Sequence, residues 1–421
     1  MRLVIDITQL AGWQGKLTGI PRVMYELSSR YEERYEDVNF IGWDEGRGVF
    51  WELPFDDVRK RYDGTEHEPQ SSESSAQNAN HDIKASLRSV YDRLPENGKR
   101  LARFVKHKIT SKAQPVDLSG AFSFNDGDKL FVLWGEWNSE QYTNRLGELT
   151  SNHKIKLYQL AYDMLPLVTP QYSSHSTEGL RRYVSTIYPI CDTIIAISQH
   201  TSQDITDWLR KNKLRIPKIK VVRLGDDFNV AAPRKPRNGF FSRPRSYVLT
   251  VGTIESRKNH TLLYYVYKLA KARGIVLPPL VIVGRRGWLT ENIYDLMTTD
   301  PDTKDQFVFL HNAGDNELAW LYDHSLFTIY PSNYEGWGLP VAESIARGVP
   351  CIASDTSSMP EIAGDIISYF SPNSTDECLQ RVVELLDDNY RDKAKRRLVQ
   401  YKLTSWDDTF RQVEKITGDD K

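Results

Sequence analysis

The sequence predicts an α/β protein with two domains, each a parallel sheet covered by helices on both faces. The chain has 421 residues, more than one hydrophobic core usually serves, so two compact domains are expected. Short apolar runs bounded by turn residues alternate with segments of helical periodicity, as in parallel sheets. Residues 231–246 are rich in Pro, Arg and Lys and interrupt this alternation, which then resumes.

Ten apolar runs are predicted strands. Those of the first domain are 3–7, 130–134, 156–161, 193–198 and 220–224, and those of the second are 247–251, 280–283, 307–310, 327–330 and 349–353. We place the first domain at residues 1–230, with an insertion at about 45–125, and the second at 246–405. Residues 406–421 form a separate C-terminal segment.

The insertion contains two unlike segments. Residues 61–80 are polar, and their few apolar side chains cannot offset the conformational entropy lost on folding. We therefore predict a mobile surface segment there. Residues 83–109 carry apolar side chains at helical spacing, interleaved with Lys and Arg. Two interpretations remain open: a pair of solvated amphipathic helices, or a basic face that rests on an anionic membrane.

Composition excludes several classes of protein. The formal net charge is −1, which gives no reason to expect a nucleic-acid partner. The three cysteines, Cys191, Cys351 and Cys378, are too few and too far apart for a disulfide framework or a zinc site, and suit a reducing cytosol. The sequence shows no secretory signal and no apolar stretch of roughly 18 to 20 residues. We therefore expect a cytoplasmic protein, soluble or peripheral to the membrane.

The most informative stretch is YPSNYEGWGLPVAESIARGVPCIASDTSSMPE, residues 330–361. A strand leads into a turn with Gly336 and Gly338, and Pro340 suits the first turn of a helix. The N–H groups of such a helix start can bind a pyrophosphate, which the glycines allow to approach the backbone. Glu335 in the turn and Glu343 in the helix can bracket a ligand there. The alternative is that both glutamates merely complement the helix dipole.

A second motif, VGTIESRKNHTLL at residues 251–263, places Arg257 and Lys258 just beyond a strand end. Two cations there could neutralise a departing diphosphate, although adjacent cations are also common on surfaces. VIVGRRGW at residues 281–288 contributes Gly284 as a candidate for the nucleotide pocket.

In the first domain, fewer sequence motifs indicate a functional site. Gly19 and Arg22 open a helix after the first strand, without the glycine fingerprint of a dinucleotide site. Gly19 could be a simple turn glycine and Arg22 a surface ion-pair residue. Asp163 follows a strand end in AYDMLPLVTP, where open α/β sheets carry sites, or it could only cap its own loop.

The stretch from Glu335 to Glu343, with its glycines and prolines, resembles the hallmark of the family-four retaining glycosyltransferases of GT-B fold, the glycosyltransferase group 1 kind. The resemblance implies two Rossmann-like domains with a facing cleft, and a C-terminal helix at 406–421 that crosses back to the first domain. It implies that Glu343 holds the ribose and that Glu335 contacts the donor sugar. The backbone N–H groups of Gly336 and Trp337 would meet the phosphates, which Arg257 and Lys258 would clamp.

The same resemblance extends to the first domain. It implies that the Gly19 loop meets the donor phosphates. Tyr162 stands where the family commonly has histidine, which puts the histidine's role in doubt. Asp163 is kept as a candidate for orienting the acceptor hydroxyl or for stabilising positive charge at the anomeric carbon. The stretch IAISQHTSQDI, residues 195–205, resembles the family's strand and serine-started helix, which implies that Ser198 starts a helix facing the cleft.

The expected activity is transfer of a hexose with retention, from a GDP- or UDP-linked sugar and without a metal or other cofactor. GDP-mannose is favoured, because similar family members often build bacterial surface polysaccharides such as O-antigen on lipid-linked acceptors. A sugar phosphorylase of the same fold and a non-catalytic subunit that only binds nucleotide sugar remain alternatives. A nicotinamide-dependent oxidoreductase would need the missing glycine fingerprint.

Overall fold

A computed structural model describes residues 2–62 and 120–418, except positions 14, 16, 174–176, 229, 231, 239 and 242–246. The predicted amphipathic segment 83–109 lies outside the described residues, as does all but the start of the polar segment 61–80. The two-domain α/β prediction is confirmed, because the described residues form two separate sheets flanked by helices.

The first sheet has the order β3-β2-β1-β4-β5-β6-β7. Its pairs are parallel except β2 with β3, a hairpin that adds an antiparallel edge strand within the predicted insertion. Short apolar runs become central strands here because both faces are covered, and all four residues of β4 are buried. The strands are β1 Leu3–Asp6, β2 Val38–Asp44, β3 Val49–Glu52, β4 Lys129–Val132, β5 Lys156–Ala161, β6 Thr193–Ala196 and β7 Lys218–Val221.

Seven α-helices accompany this sheet in the described part of the chain. They are α1 Thr8–Gly12, α2 Ile20–Arg34, α3 Phe55–Tyr62, α4 Glu140–Asn152, α5 Leu165–Val168, α6 Glu178–Thr186 and α7 Gln199–Lys211. Helix α2 buries Val23, Leu27 and Tyr31, which are spaced four residues apart on one face. Helices α4 and α7 begin at serine N-caps, Ser139 and Ser198, whose hydroxyls accept a backbone N–H three residues on.

The second sheet is wholly parallel and has the order β10-β9-β8-β11-β12-β13. Its strands are β8 Val248–Val251, β9 Leu280–Val283, β10 Phe307–Leu310, β11 Phe327–Tyr330, β12 Cys351–Ser354 and β13 Ser368–Phe370. The remaining helices are α8 His260–Ala272, α9 Glu291–Thr299, α10 Asp315–His324, α11 Leu339–Ala346, α12 Met359–Ala363, α13 Thr375–Leu386, α14 Asp388–Arg397 and α15 Trp406–Gly418.

Both sheets reverse their strand order at one point, between β1 and β4 in the first and between β8 and β11 in the second. The chain leaves the two strands of each pair in opposite directions, so a crevice opens at their carboxyl ends. The loops that follow β8 and β11 carry the two motifs of the second domain, and the topology therefore brings these motifs together.

The C-terminal helix α15 ties the second half of the chain to the first. It packs against α2, and the Tyr31 hydroxyl lies 2.8 Å from the Thr417 hydroxyl. Lys129 Nζ donates to the Thr417 carbonyl oxygen at 2.8 Å. One apolar cluster contains buried residues of both domains, among them Leu27, Val341 and Trp406. The described domains thus share packed surface.

Candidate functional site

The centre of the site is the carboxylate of Glu335, which is 6% exposed. Arg257 Nη1 donates to Glu335 Oε2 at 2.5 Å, and Lys258 Nζ donates to Glu335 Oε1 at 2.6 Å. Ser332 Oγ also donates to Oε1, at 2.7 Å. The adjacency of β8 and β11 brings these residues together, because Arg257 and Lys258 follow β8 and Glu335 follows β11.

The two cations keep Glu335 ionised despite its burial. Burial favours the protonated form, but the charges of Arg257 and Lys258 and the hydrogen bonds lower the pKa of Glu335 to about 2. Arg257 is shared with a second carboxylate, since its Nε lies 2.6 Å from Glu255 Oε1. The site therefore presents a fixed negative charge next to two positive ones.

The turn after Glu335 leads directly into the first turn of α11. Gly338 is the N-cap, with a φ of 113° that disfavours other residues, and Pro340 lies in the first turn. A β-carbon added at Gly336 would collide with the Tyr162 carbonyl oxygen of the first domain. The turn is therefore held against the other side of the cleft.

Glu343, in the middle of α11, is 7% exposed and contacts the first domain. Arg22 Nη1 donates to Glu343 Oε1 at 3.1 Å, and the Tyr322 hydroxyl donates to Oε2 at 3.1 Å. Burial raises the pKa of Glu343, and the charge of Arg22 opposes this rise. Arg22 also donates to the Asp227 carbonyl oxygen at 3.2 Å. Its ion pair with Glu343 joins the two domains and is largely buried, so it is not a surface ion pair.

Asp163 and Tyr162 approach this cluster from the first domain. Asp163 Oδ1 accepts the Leu165 N–H at 3.0 Å, so the residue does cap its own loop. Its Cβ would also lie 3.1 Å from a β-carbon at Gly336. Burial raises the pKa of Asp163, while the charge of Arg257 lowers it. The Tyr162 hydroxyl is buried and has no hydrogen-bond partner among the described residues.

Four other predicted residues lie at the edges of this arrangement. Gly19 is the N-cap of α2 and has a φ of 59°. Gly284 packs against the Gly252 backbone, where a β-carbon would collide. Ser198 is fully buried as the N-cap of α7. Trp337 is buried under the Arg223 guanidinium, whose central carbon lies 5.2 Å from the indole ring.

Two contacts between the domains have no counterpart in the sequence predictions. The Tyr334 hydroxyl donates to Asp204 Oδ2 at 2.6 Å. Glu361 accepts the N–H groups of Gln199 and His200, both at 2.7 Å, at the first turn of α7. Glu361 ends the motif at 330–361, but nothing local in the sequence indicates its partner.

The described residues contain neither a cluster of metal-ligating side chains nor a membrane-spanning helix. No group of three His, Cys, Asp or Glu side chains there could hold a metal ion. In the same part of the chain, no helix is long and apolar enough to cross a membrane.

Among curated proteins, the chain is similar to bacterial mannosyltransferases. The chain is 34% identical over 172 residues to O-antigen chain mannosyltransferase B of Escherichia coli, covering 40% of this chain and 45% of that protein. It is 27% identical over 243 residues to the serotype-specific mannosyltransferase WbdA of Escherichia coli, covering 54% of this chain and 29% of that protein. The matches thus span less than half the length of these relatives.

Solved structures share the architecture over the whole chain. Anabaena Alr3699/HepE in complex with UDP-glucose matches with a TM-score of 0.61 at 14% identity, over 99% of each chain. Sucrose-phosphate synthase from Thermosynechococcus elongatus matches with a TM-score of 0.60 at 15% identity, over 99% of this chain and 98% of that one. At such identities the likeness shows the fold alone, and it confirms GT-B.

The family resemblance is confirmed as well. Residues 233–403 match the protein-family model described as "Glycosyl transferases group 1". This range contains both motifs of the second domain. Residues 233–403 therefore carry a group 1 glycosyl transferase domain, and the chain is a GT-B protein similar to O-antigen mannosyltransferases.

Proposed function

We propose that this protein transfers a hexose, with mannose favoured, from a nucleotide sugar to a hydroxyl group of a glycan, with retention of anomeric configuration. The observation that carries the proposal is the contact of the Glu335 carboxylate with Arg257 and Lys258, beside the first turn of α11. A fixed carboxylate can accept hydrogen bonds from donor-sugar hydroxyls. The two cations and the helix N–H groups can bind the adjoining diphosphate.

The nucleotide then lies along α11, with its ribose at Glu343. The Glu343 carboxylate can accept hydrogen bonds from the ribose hydroxyls in addition to those it accepts from Arg22 and Tyr322. Arg22, already in contact with Glu343, reaches this part of the cleft from the first domain. GDP-mannose is the favoured donor because the curated relatives are named as mannosyltransferases. A UDP-hexose is the competing donor.

The reaction proceeds by departure and attack on one face of the sugar. The bond from C1 to the diphosphate oxygen breaks, and a bond from C1 to the acceptor oxygen forms on the same side. The acceptor proton passes to the departing diphosphate. Arg257, Lys258 and the N–H groups of α11 stabilise the charge that develops on the diphosphate, and we propose that this makes a metal unnecessary. In this proposal Asp163 orients the acceptor hydroxyl.

The acceptor in this proposal is a growing bacterial surface polysaccharide such as O-antigen, carried on a lipid at the cytosolic face of the inner membrane. The names of the relatives and the basic composition of residues 83–109 support it. Sedimentation with anionic liposomes tests the membrane part. Equal sedimentation of the full chain and of a variant lacking residues 83–109 would refute a docking role for that segment.

A donor screen tests the function itself. GDP-mannose should raise the melting temperature of the wild type, with or without EDTA, and Glu343→Ala should abolish the shift. Incubation with α-mannosides should give an α-linked product by NMR, with release of GDP. Donor binding without any transfer would favour a non-catalytic binding subunit, and turnover only with inorganic phosphate would favour a phosphorylase. No response to any nucleotide sugar would refute the proposal.

A further inference from the structure

A group of aromatic side chains lies at the carboxyl ends of the central strands in the first sheet. Trp134 and Trp137 follow β4, and their ring centroids are 5.5 Å apart. Trp134 is also 6.1 Å from the Tyr162 ring, which follows the adjacent strand β5. Both tryptophans are only partly buried. Part of each indole therefore remains accessible at the edge of the sheet that carries sites in this class of fold.

A polar pair lies in the same loops. Gln9 follows β1, and its Nε2 donates to Glu136 Oε1 at 2.5 Å. Burial raises the pKa of Glu136, and the nearby charge of Asp6 raises it further. Because β1 and β4 are adjacent at the point where the strand order reverses, this pair occupies the crevice of the first domain.

The loop after β4 is held in place by the core. A β-carbon at Gly135 would collide with the Tyr183 hydroxyl, so the backbone between the two tryptophans lies directly on that side chain. The Tyr183 hydroxyl in turn donates to Gln159 Oε1 at 2.6 Å. A binding surface on such a fixed loop requires little ordering when a ligand arrives.

The aromatic group is continuous with the donor side of the cleft. Tyr162 connects the two, since its ring faces Trp134 and its carbonyl oxygen approaches Gly336. Asp163, the next residue, interacts electrostatically with Arg257 and Glu335. The contacts that link the Glu335 cluster to Trp134 therefore run through Asp163 and Tyr162.

We infer that Trp134 and Trp137, with the Gln9–Glu136 pair, form the subsite for a pyranose ring of the acceptor glycan, an inference that rests on the proposed function. A hexopyranose has an apolar C–H face that packs on an indole ring and a rim of hydroxyl groups. The Gln9 amide and the Glu136 carboxylate can donate to and accept from adjacent hydroxyls on that rim. The sugar so held places its free hydroxyl towards Asp163.

Saturation-transfer NMR with methyl α-D-mannopyranoside as the probe tests this subsite in the full chain. In the wild type we expect transfer concentrated on the C–H protons of one face of the ring. Trp134→Ala should weaken binding about tenfold, and Trp134→Phe should restore part of it, because an aromatic face is retained. Trp51→Ala is the matched control, since Trp51 is 37% exposed on the edge strand β3, three strands from β4.

Two further measurements separate this inference from the proposed function. Glu335→Gln should leave the mannoside signal in place, which excludes binding in the donor-sugar pocket. Donor binding by thermal shift with GDP-mannose should be unchanged in Trp134→Ala. Equal mannoside binding by wild type and Trp134→Ala, or no transfer to the probe in the wild type, would overturn the subsite even if the donor binds. Loss of donor response alone would overturn the function and leave the subsite standing.

Discussion

The carboxylate of Glu361, in the second domain, accepts the backbone N–H of Gln199, in the first, at 2.7 Å. It accepts the next N–H, of His200, at the same distance. Helix α7 thus has its first turn capped by a side chain from the opposite domain, together with its own Ser198. This part of the cap is therefore present only while the two domains are in contact.

Removing that carboxylate should favour an open cleft. Glu361→Ala leaves two N–H groups without their acceptor when the domains close, at a cost of about 1 kcal/mol. We expect a larger radius of gyration by small-angle X-ray scattering and about fivefold slower transfer, with little change in melting temperature. Glu140→Ala, at an exposed position in the first turn of α4, is the control. Unchanged scattering would show that closure does not depend on the cap.

The approach of Gly336 to Tyr162 predicts a second effect on closure. A methyl group at Gly336 would collide with the Tyr162 carbonyl oxygen, so Gly336→Ala should prevent the closed arrangement. Transfer should fall by at least about tenfold, while each domain stays folded. Gly147→Ala should be neutral, because Gly147 lies in α4 with open space around it. Wild-type turnover in Gly336→Ala would mean that catalysis does not use this closed form.

Neutralising Glu335 should affect both catalysis and stability. Glu335→Gln leaves Arg257 and Lys258 in a buried cluster with one carboxylate fewer, and breaking such a pair costs about 3 kcal/mol. Chemical denaturation should report this loss near neutral pH. Transfer should fall about 100-fold, because the donor sugar loses a charged acceptor. Glu52→Gln, at an exposed site on β3, should change neither quantity.

The stabilisation from Glu335 should also vanish in acid. Its pKa in the folded protein is about 2, below its ordinary value of 4.5, so folding favours the ionised form. The contribution is complete above the unfolded pKa and is lost as pH falls from about 4.5 through about 2. The free energy of unfolding of Glu335→Gln should therefore approach that of the wild type at the acid end. A constant gap between the two would contradict the ionised, ion-paired state.

His260 predicts a loss of stability that begins at a higher pH than the loss due to Glu335. This side chain is buried at the start of α8, and burial, with the charge of Lys258, lowers its pKa from 6.5 to about 4. As pH falls from about 6.5 to 4, only the unfolded chain binds the proton, so stability decreases by about 3 kcal/mol. His260→Leu should remove this dependence, and His153→Leu, at a half-buried site, should not. If the free energy of unfolding varies with pH in the same way for the wild type and for His260→Leu, the prediction is refuted.

Several elements could be predicted from the sequence because the information is local. Strands β9 and β11 agree residue for residue with the predicted runs 280–283 and 327–330, since parallel strands buried on both faces are continuous apolar runs. The helix start at Pro340 follows from the ring geometry of proline. The predicted runs lack β2, β3 and β13, of which β13 has only three residues, too few to form a pattern.

The amino-acid sequence by itself determined the fold class and the strand ends that carry Arg257, Lys258 and Glu335. Only the tertiary structure decided which partners these residues have. Arg257 meets Glu335 across 78 positions, because β8 and β11 are neighbours in the sheet. Arg22 meets Glu343 across 321 positions, because the two domains pack face to face. Strand order and domain packing depend on contacts between residues that are far apart in the chain. No short stretch of sequence therefore encodes them.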